Sequence, residues 1–587
     1  MTRSVKLRLW QKRALEAFLA SERPDFLAVA TPGAGKTTFA LTAMRLELAR
    51  SGWRRLFVVV PTQHLKMQWA AAAARFDLHL EPEWSATQGT LPADIDGVVL
   101  TYQQVAAGPE AVAALTQDGL VVLDELHHAA DERAWGDGVK IAFQGARRRL
   151  GLSGTPFRSD TAAIPFVHYR LEEAEADFEY GYADALADGR VVRPVFFPRV
   201  NGQMEWSAPD GSLYDATFDD PLTRALANQR LRTALSLEGE WLPTVLAEAH
   251  RELLRLRAGA QPDAAGLVIA MDVSHAKGIA RLLRDRLGTV SIVATSDDAD
   301  ASNRIARFAA ATTPWIVAVR MVSEGVDIPR LRVGVFATNT TTELFFRQAV
   351  GRLVRWQSIA GAGRQKAFLF IPDDVRLRTY AHQVGEQRRH SLRKPSEDGQ
   401  LTDDVPPDPT ALDGTGEPEQ LSLFAALSAT AHDLQGGSIF EDNDEAEDPE
   451  GRPGPGDSDP LDGALELTLA PLQRPGSPPQ VPGAEPTNGL TGELARLDPR
   501  AARAKLRDLN AAVVAQLAMV TGQTHAQVNA ELNRRVGIRR VTEATLVQLQ
   551  RRVGVGRAWL DDARRGTTSK SERGATPGYD RPTRTPS

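Results

Sequence analysis

The stretch FLAVATPGAGKTTFALTAMRLELA, residues 26–49, decides the architecture. It opens as a short apolar strand, turns through a glycine-rich loop and continues as a helical pattern. That order points backbone N–H groups and the positive end of a helix at one spot, which suits a phosphate chain. Gly33 and Gly35 let the backbone approach closely, and Thr31, Ala34 and Thr38 complete the loop. Lys36 would reach the β/γ-phosphates of a nucleotide, and the Thr37 hydroxyl would ligate Mg²⁺. The usual first glycine of such a loop is Ala30 here.

Outward from this unit, apolar runs alternate with helical patterns. The strand candidates are 26–30, 56–61, 97–101, 120–125 and 149–155, then a second series at 266–271, 290–294, 315–319, 332–338 and 366–372, preceded by the strand-like VVRPVFFPRV. Buried runs joined by helices predict parallel sheets covered on both faces. The fold expected is α/β: two tandem lobes at 1–193 and 194–393, a disordered acidic linker at 394–490, a small all-α domain at 491–566 and a solvated tail at 567–587.

LVVLDELHH ends in Asp124 and Glu125, on a strand expected to lie beside the first one. Asp124 would hold Mg²⁺, directly or through water, and Glu125 would polarise the attacking water as general base. His127 and His128 are adjacent, and neighbours on an extended strand face opposite ways, so one ion cannot readily take both. His127 reads as an internal polar link.

The chain has 587 residues and no cysteine, which excludes disulfides and thiolate zinc sites. No apolar run approaches the ~20 residues of a membrane span, and the basic N-terminus lacks the apolar core of a signal peptide. A cytoplasmic location is the expectation. The net charge of −6 is uneven: residues 396–485 hold 21 acids and two basic residues, leaving +13 on the remainder. A basic body is consistent with phosphate binding.

The motifs together resemble the superfamily-two helicases, and within them the DEAD/DEAH-box group related to the motor subunits of type I and type III restriction enzymes. LRLWQKRALEAFL resembles the Q motif, ATPGAGKTT motif I in its A-x-x-G-x-G-K-T form, VVVPTQHLKMQW motif Ia and VVLTYQQV motif Ib. DELH at 124–127 resembles motif II, LSGTPFR at 152–158 motif III, VRMVSEGVDIPRL at 319–331 motif V and FRQAVGRLVR at 346–355 motif VI. The match spans residues 5–375, with every motif in order.

The resemblance implies two RecA-like lobes with ATP between them. Gln11 would read adenine. Gln348, Arg352 and Arg355 would face the nucleotide from the second lobe, the arginines as fingers on the γ-phosphoryl group. Their spacing of i, i+4 and i+7 fits one helix face. Gly325 and Asp327 would couple nucleotide state to the grip on nucleic acid. Thr62 and Thr101 are the phosphate-contact candidates, giving sequence-tolerant, salt-sensitive binding to DNA.

Gln420, Leu421, Ser422, Leu423 and Phe424 resemble the pentapeptide by which bacterial replication and repair proteins dock on the sliding clamp; a short nascent helix, or a segment that folds back onto a lobe, is the alternative. In the C-terminal helices Arg534, Arg535, Arg539, Arg540, Arg551 and Arg552 would grip DNA, or belong to a solvated bundle that binds protein. The expected function is an ATP-dependent helicase or translocase in replication or repair. A motor of a restriction or phage-defence system, and an RNA helicase, are the alternatives.

Overall fold

The computed structural model describes residues 3–51, 55–85, 91–127, 133–154, 164–170, 173–189, 191–208, 211–295, 301–319, 328–357, 365–392, 425–431, 465–469, 472, 490–497 and 499–572. Two parallel sheets organise it. The first has seven strands in the order Phe178–Tyr180, Asp25–Ala30, Arg148–Ser153, Leu120–Leu123, Leu56–Val60, Gly97–Thr101 and Leu80–Glu81. The second runs Val195–Phe196, Ala367–Pro372, Leu331–Ala337, Ala265–Ala270, Trp315–Val319 and Ser291–Ala294, with Arg199–Val200 also paired to Ala367–Pro372. Every residue of Leu56–Val60, Gly97–Thr101 and Leu331–Ala337 is buried. Continuous burial is what helices on both faces of a parallel sheet impose. The strand candidates of both series are therefore found.

The strand of Asp124 does not lie beside the strand of the phosphate loop, contrary to expectation. Arg148–Ser153 is inserted between them, pairing with both. A βαβ crossover can skip a position, and nothing local in a strand encodes its neighbour.

One apolar cluster runs from Trp10, Phe18 and Met44 through Tyr182, Val192 and Phe197 to Leu267, Phe336, Phe346 and Tyr380. The two lobes are thus joined by shared core. Arg193, fully buried at the junction, donates to the carbonyls of Pro329 at 2.8 Å and Leu331 at 3.1 Å. Its backbone N–H binds the Val354 carbonyl at 2.7 Å.

The acidic linker is not featureless, which corrects the expectation of disorder throughout 394–490. Ala425–Ala431 pairs antiparallel with Gly202–Ser207, whose other edge takes Leu213–Thr217. Leu465–Leu469 pairs antiparallel with Arg3–Leu7. Both form by pairing with strands more than 200 residues away, beyond the reach of local composition.

The C-terminal helices are Pro499–Thr521, His525–Val536 and Leu546–Glu572, the last running past the expected boundary at 566. They pack around Leu506, Val514, Leu517, Leu532 and Leu549. Arg552 is 1% exposed and donates to Asn510 Oδ1, Asn529 Oδ1 and Asn533 Oδ1. It belongs to the core and cannot grip DNA. Arg534 and Arg535 both pair with Glu531, while Arg539, Arg540 and Arg551 are exposed. The bundle docks on the first lobe through Asp94, which accepts from Arg503 Nη2 at 2.6 Å and Leu546 N at 2.8 Å. Among the described residues no helix is long and apolar enough to cross a membrane.

Candidate nucleotide site at the lobe seam

Strand Asp25–Ala30 ends in the loop, and helix Lys36–Ser51 begins at Lys36. Gly33 has φ 85° and Gly35 φ 99°, values that L side chains rarely adopt, so glycine is required at both. Ala34 and Thr31 are buried, with the Thr31 N–H bound to the Tyr180 carbonyl at 2.9 Å. Thr37 and Thr38 are half-buried in the first helical turn.

The N-terminal helix Leu9–Ala20 holds this loop from outside. Arg8 Nη1 donates to the Ala34 carbonyl at 2.8 Å, and Trp10 Nε1 to the same oxygen at 3.2 Å. Gln11 Nε2 donates to the Gly35 carbonyl at 3.0 Å, and its Oε1 accepts the Arg8 N–H at 2.8 Å. The Nε2 end of the Gln11 amide thus holds the loop backbone, and its Oε1 end caps the helix that carries it.

Lys36 Nζ lies 2.9 Å from Glu125 Oε1. The other oxygen, Oε2, accepts the Gly154 N–H at 3.2 Å. Glu125 has φ 47°, a left-handed conformation uncommon outside glycine, which turns its side chain out at the strand end. Asp124 is buried. Its Oδ2 accepts from Trp69 Nε1 at 2.8 Å, and its backbone carbonyl accepts from the Tyr102 hydroxyl at 2.9 Å. Its carboxyl is pushed up to about 6, first by burial and then by Glu125, with Lys36 pulling the other way. A buried carboxylate beside a second acid favours a nearby cation. The Asp124 carboxylate and the Thr37 hydroxyl are both hard oxygen donors, the kind that suits Mg²⁺.

The second lobe meets the loop directly. A Cβ placed on Gly351 would stand 2.7 Å from Cγ of Pro32, so helix Glu343–Leu353 lies against the phosphate loop with no room for a side chain. A Cβ on Gly33 would stand 3.4 Å from Arg355 Cγ, which places the Arg355 side chain over the loop. Gln348 Nε2 lies 3.3 Å from His127 Nε2, and His127 Nδ1 lies 3.8 Å from Glu125 Oε2. If the Gln348 amide donates, the imidazole carries its proton on Nδ1, facing Glu125. His127 is the internal polar link expected, and the described residues contain no cluster of metal-ligating side chains.

Two expectations need correction. Arg355 is not on the helix of Gln348 and Arg352: the helix ends at Leu353, capped by Val354, and Arg355 forms an antiparallel bridge with Val192. Pairing with the inter-lobe segment, rather than helical periodicity, brings it to the loop. Thr101 is 3% exposed and its Oγ1 accepts the Gln104 N–H at 3.1 Å as a helix cap, so it is not placed to touch a phosphate backbone. Thr62 also caps a helix, accepting from Leu65 N, but is half-buried. Gly325 and Asp327, His128, the end of motif III from 155 on, and Gln420, Leu421, Ser422, Leu423 and Phe424 lie outside the described residues. Arg8, Trp69, Tyr102 and Arg193 were not singled out by sequence, although Trp69 and Tyr102 stand inside the stretches resembling motifs Ia and Ib.

A family model described as "Type III restriction enzyme, res subunit" matches residues 4–158. The "Uncharacterized protein MT2985" of Mycobacterium tuberculosis is 40% identical over 566 residues, covering 93% of this chain and 92% of that protein. The "DNA 3'-5' translocase XPB2" of Sulfurisphaera tokodaii is 29% identical over 157 residues, 27% of this chain and 32% of that protein. A solved fragment of a putative HsdR subunit of a type I restriction enzyme from Vibrio vulnificus YJ016 overlays with a TM-score of 0.45 at 16% identity, covering 63% of this chain and 65% of that one.

Proposed function

We propose that this chain, which belongs to one family with MT2985 of Mycobacterium tuberculosis and to the superfamily-two helicases related to the Res group, hydrolyses ATP at its lobe seam to move along DNA. One observation carries the reading: Gly351 stands against Pro32 and Arg355 over Gly33, so the second lobe faces the first lobe's phosphate loop.

Lys36 would exchange its contact with Glu125 for the β/γ-phosphates, freeing Glu125 to accept a proton from the attacking water. Mg²⁺, held by Asp124 and Thr37, would neutralise charge on the phosphates. Arg355 and Arg352 would stabilise charge that develops on the γ-phosphoryl group. Gln348 and His127 would report lobe closure to Glu125. ATP would hold the lobes closed, and loss of the γ-phosphate would remove that bridge. DNA would lie at Thr62, gripped at its backbone, with Gly325 and Asp327 coupling that grip to nucleotide state.

Steady-state phosphate release across single-stranded DNA, duplex DNA, forked DNA and RNA tests the substrate. Stimulation by DNA supports the reading, stimulation by RNA alone makes the chain an RNA helicase, and none with any polymer refutes a motor. Replication or repair is the pathway favoured, through docking of 420–424 on a sliding clamp. That part fails if a peptide covering 415–430 has no affinity for the cognate clamp and Leu423→Ala with Phe424→Ala leaves pull-down unchanged. The restriction and phage-defence reading gains if a nuclease or methylase binds this chain.

A further inference from the structure

We infer that Trp69, assisted by Tyr102, is a positioning residue that couples nucleic-acid binding to the magnesium carboxylate Asp124. This rests on the proposed reading that ATP is hydrolysed at this site on nucleic acid.

Trp69 is 2% exposed on helix Gln63–Ala74, which begins directly beyond strand Leu56–Val60 with Thr62 as its cap. Its indole N–H donates to Asp124 Oδ2 at 2.8 Å. Tyr102 is fully buried at the start of the neighbouring helix Tyr102–Ala107, and its hydroxyl donates to the backbone carbonyl of the same Asp124 at 2.9 Å. Asp124 is thus held by two helices, one through its carboxylate and one through its backbone. The helices are tied to each other: Lys66 Nζ donates to Gln104 Oε1 at 2.8 Å, although Lys66 is 3% exposed and its burial lowers its pKa.

A buried indole needs some acceptor, and a backbone carbonyl would serve. Here the acceptor is the carboxylate that would hold the cation, and the donor rides on the helix that starts at the carboxyl edge of the sheet. Ligands of open parallel sheets bind at that edge. The Glu125 backbone N–H also bonds this carboxylate, and the indole on Oδ2 sets the angle at which it faces a cation. A shift of the Trp69 helix under bound nucleic acid therefore turns the carboxylate, while Lys66 and Gln104 keep the Tyr102 helix in step. Coupling of this kind is reciprocal: nucleic acid should tighten Mg²⁺–nucleotide binding by the same factor as the converse.

The test measures affinity, without turnover. Fluorescent mant-ADP with Mg²⁺ is titrated into the full chain with and without a synthetic DNA oligonucleotide, for wild type, Trp69→Phe and Tyr102→Phe. The wild type is expected to show a coupling factor of at least about 5, the lower end for linked sites. In Trp69→Phe the factor falls to about 1, while the oligonucleotide still binds, because the buried indole touches no nucleic acid. In Tyr102→Phe, which loses one hydroxyl and little volume, it falls partway. Wild-type coupling in Trp69→Phe overturns the inference and leaves the proposed function standing. Independent binding of both ligands to the wild type also overturns it, whereas failure of the wild type to bind either ligand overturns the proposed function as well. If Trp69→Phe does not fold, undiminished coupling in Tyr102→Phe overturns the inference.

Discussion

Lys36 and Glu125 meet at 2.9 Å across the first lobe's sheet edge, an ammonium from the phosphate loop against the carboxylate proposed as general base. The pair is partly exposed, with side chains 12% and 31% accessible, so water and phosphate can compete for both. Lys36→Ala is expected to lose nucleotide affinity and turnover together. Glu125→Gln is expected to keep affinity and lose turnover, since an amide can still accept from Gly154 N but cannot take a proton. Nucleotide titration beside phosphate release separates the two, and near-normal turnover in either variant would remove these residues from the site.

Asp124 makes the pH dependence specific. Its folded pKa of about 6 lies above the ordinary 3.8. Between those values the folded chain keeps a proton that the unfolded chain has released, so this group lowers stability as pH rises through that window, by up to about 3 kcal/mol above it. Asp124→Asn is therefore expected to raise the melting temperature at neutral pH and to lose that gain below pH 3.8. Turnover should fall on the acid side of about 6, and raising Mg²⁺ should move that limb to lower pH, because cation and proton compete for one carboxylate.

The contact of Gly351 with Pro32 sets a steric limit on closure. A methyl group at 351 would enter the Pro32 ring, which cannot swing aside as a flexible side chain would. Gly351→Ala should draw Arg355 away from the loop and lower kcat by about 10²-fold, the order expected for a displacement near 1 Å. Nucleotide affinity, carried largely by the first lobe, should change much less. Stopped-flow binding and steady-state rates check the split.

Asp94 joins the C-terminal bundle to the first lobe, taking Arg503 and the Leu546 N–H at once. Arg503 is 4% exposed, so Asp94→Ala leaves its charge buried without a carboxylate. The expected cost is about 3 kcal/mol. Calorimetry should resolve a bundle transition that moves away from that of the lobes.

The sequence displayed what local chemistry encodes and hid what long-range pairing decides. Gly33, Gly35, Lys36, Asp124 and Glu125 were legible because a phosphate loop and a strand-end acid pair need those residues in a short span. The buried strands were legible as continuous apolar runs. The insertion of Arg148–Ser153 between the two chemical strands was not, nor the bridge that carries Arg355 off its helix. AALSATA at 425–431 reads as small residues in a polar tract and becomes a strand because Gly202–Ser207 offers it an edge. Arg552 reads as one more surface cation, and three asparagines from neighbouring helices put it in a core.

The most direct measurement is DNA-stimulated phosphate release by the wild type beside Arg355→Ala, with nucleotide affinity determined for both. The wild type should turn over faster on DNA, and Arg355→Ala should bind nucleotide while turning over about 10³-fold or more slowly. Equal rates in the two proteins would mean that the guanidinium over Gly33 takes no part in the chemistry and that the seam between the lobes is not where ATP is cleaved.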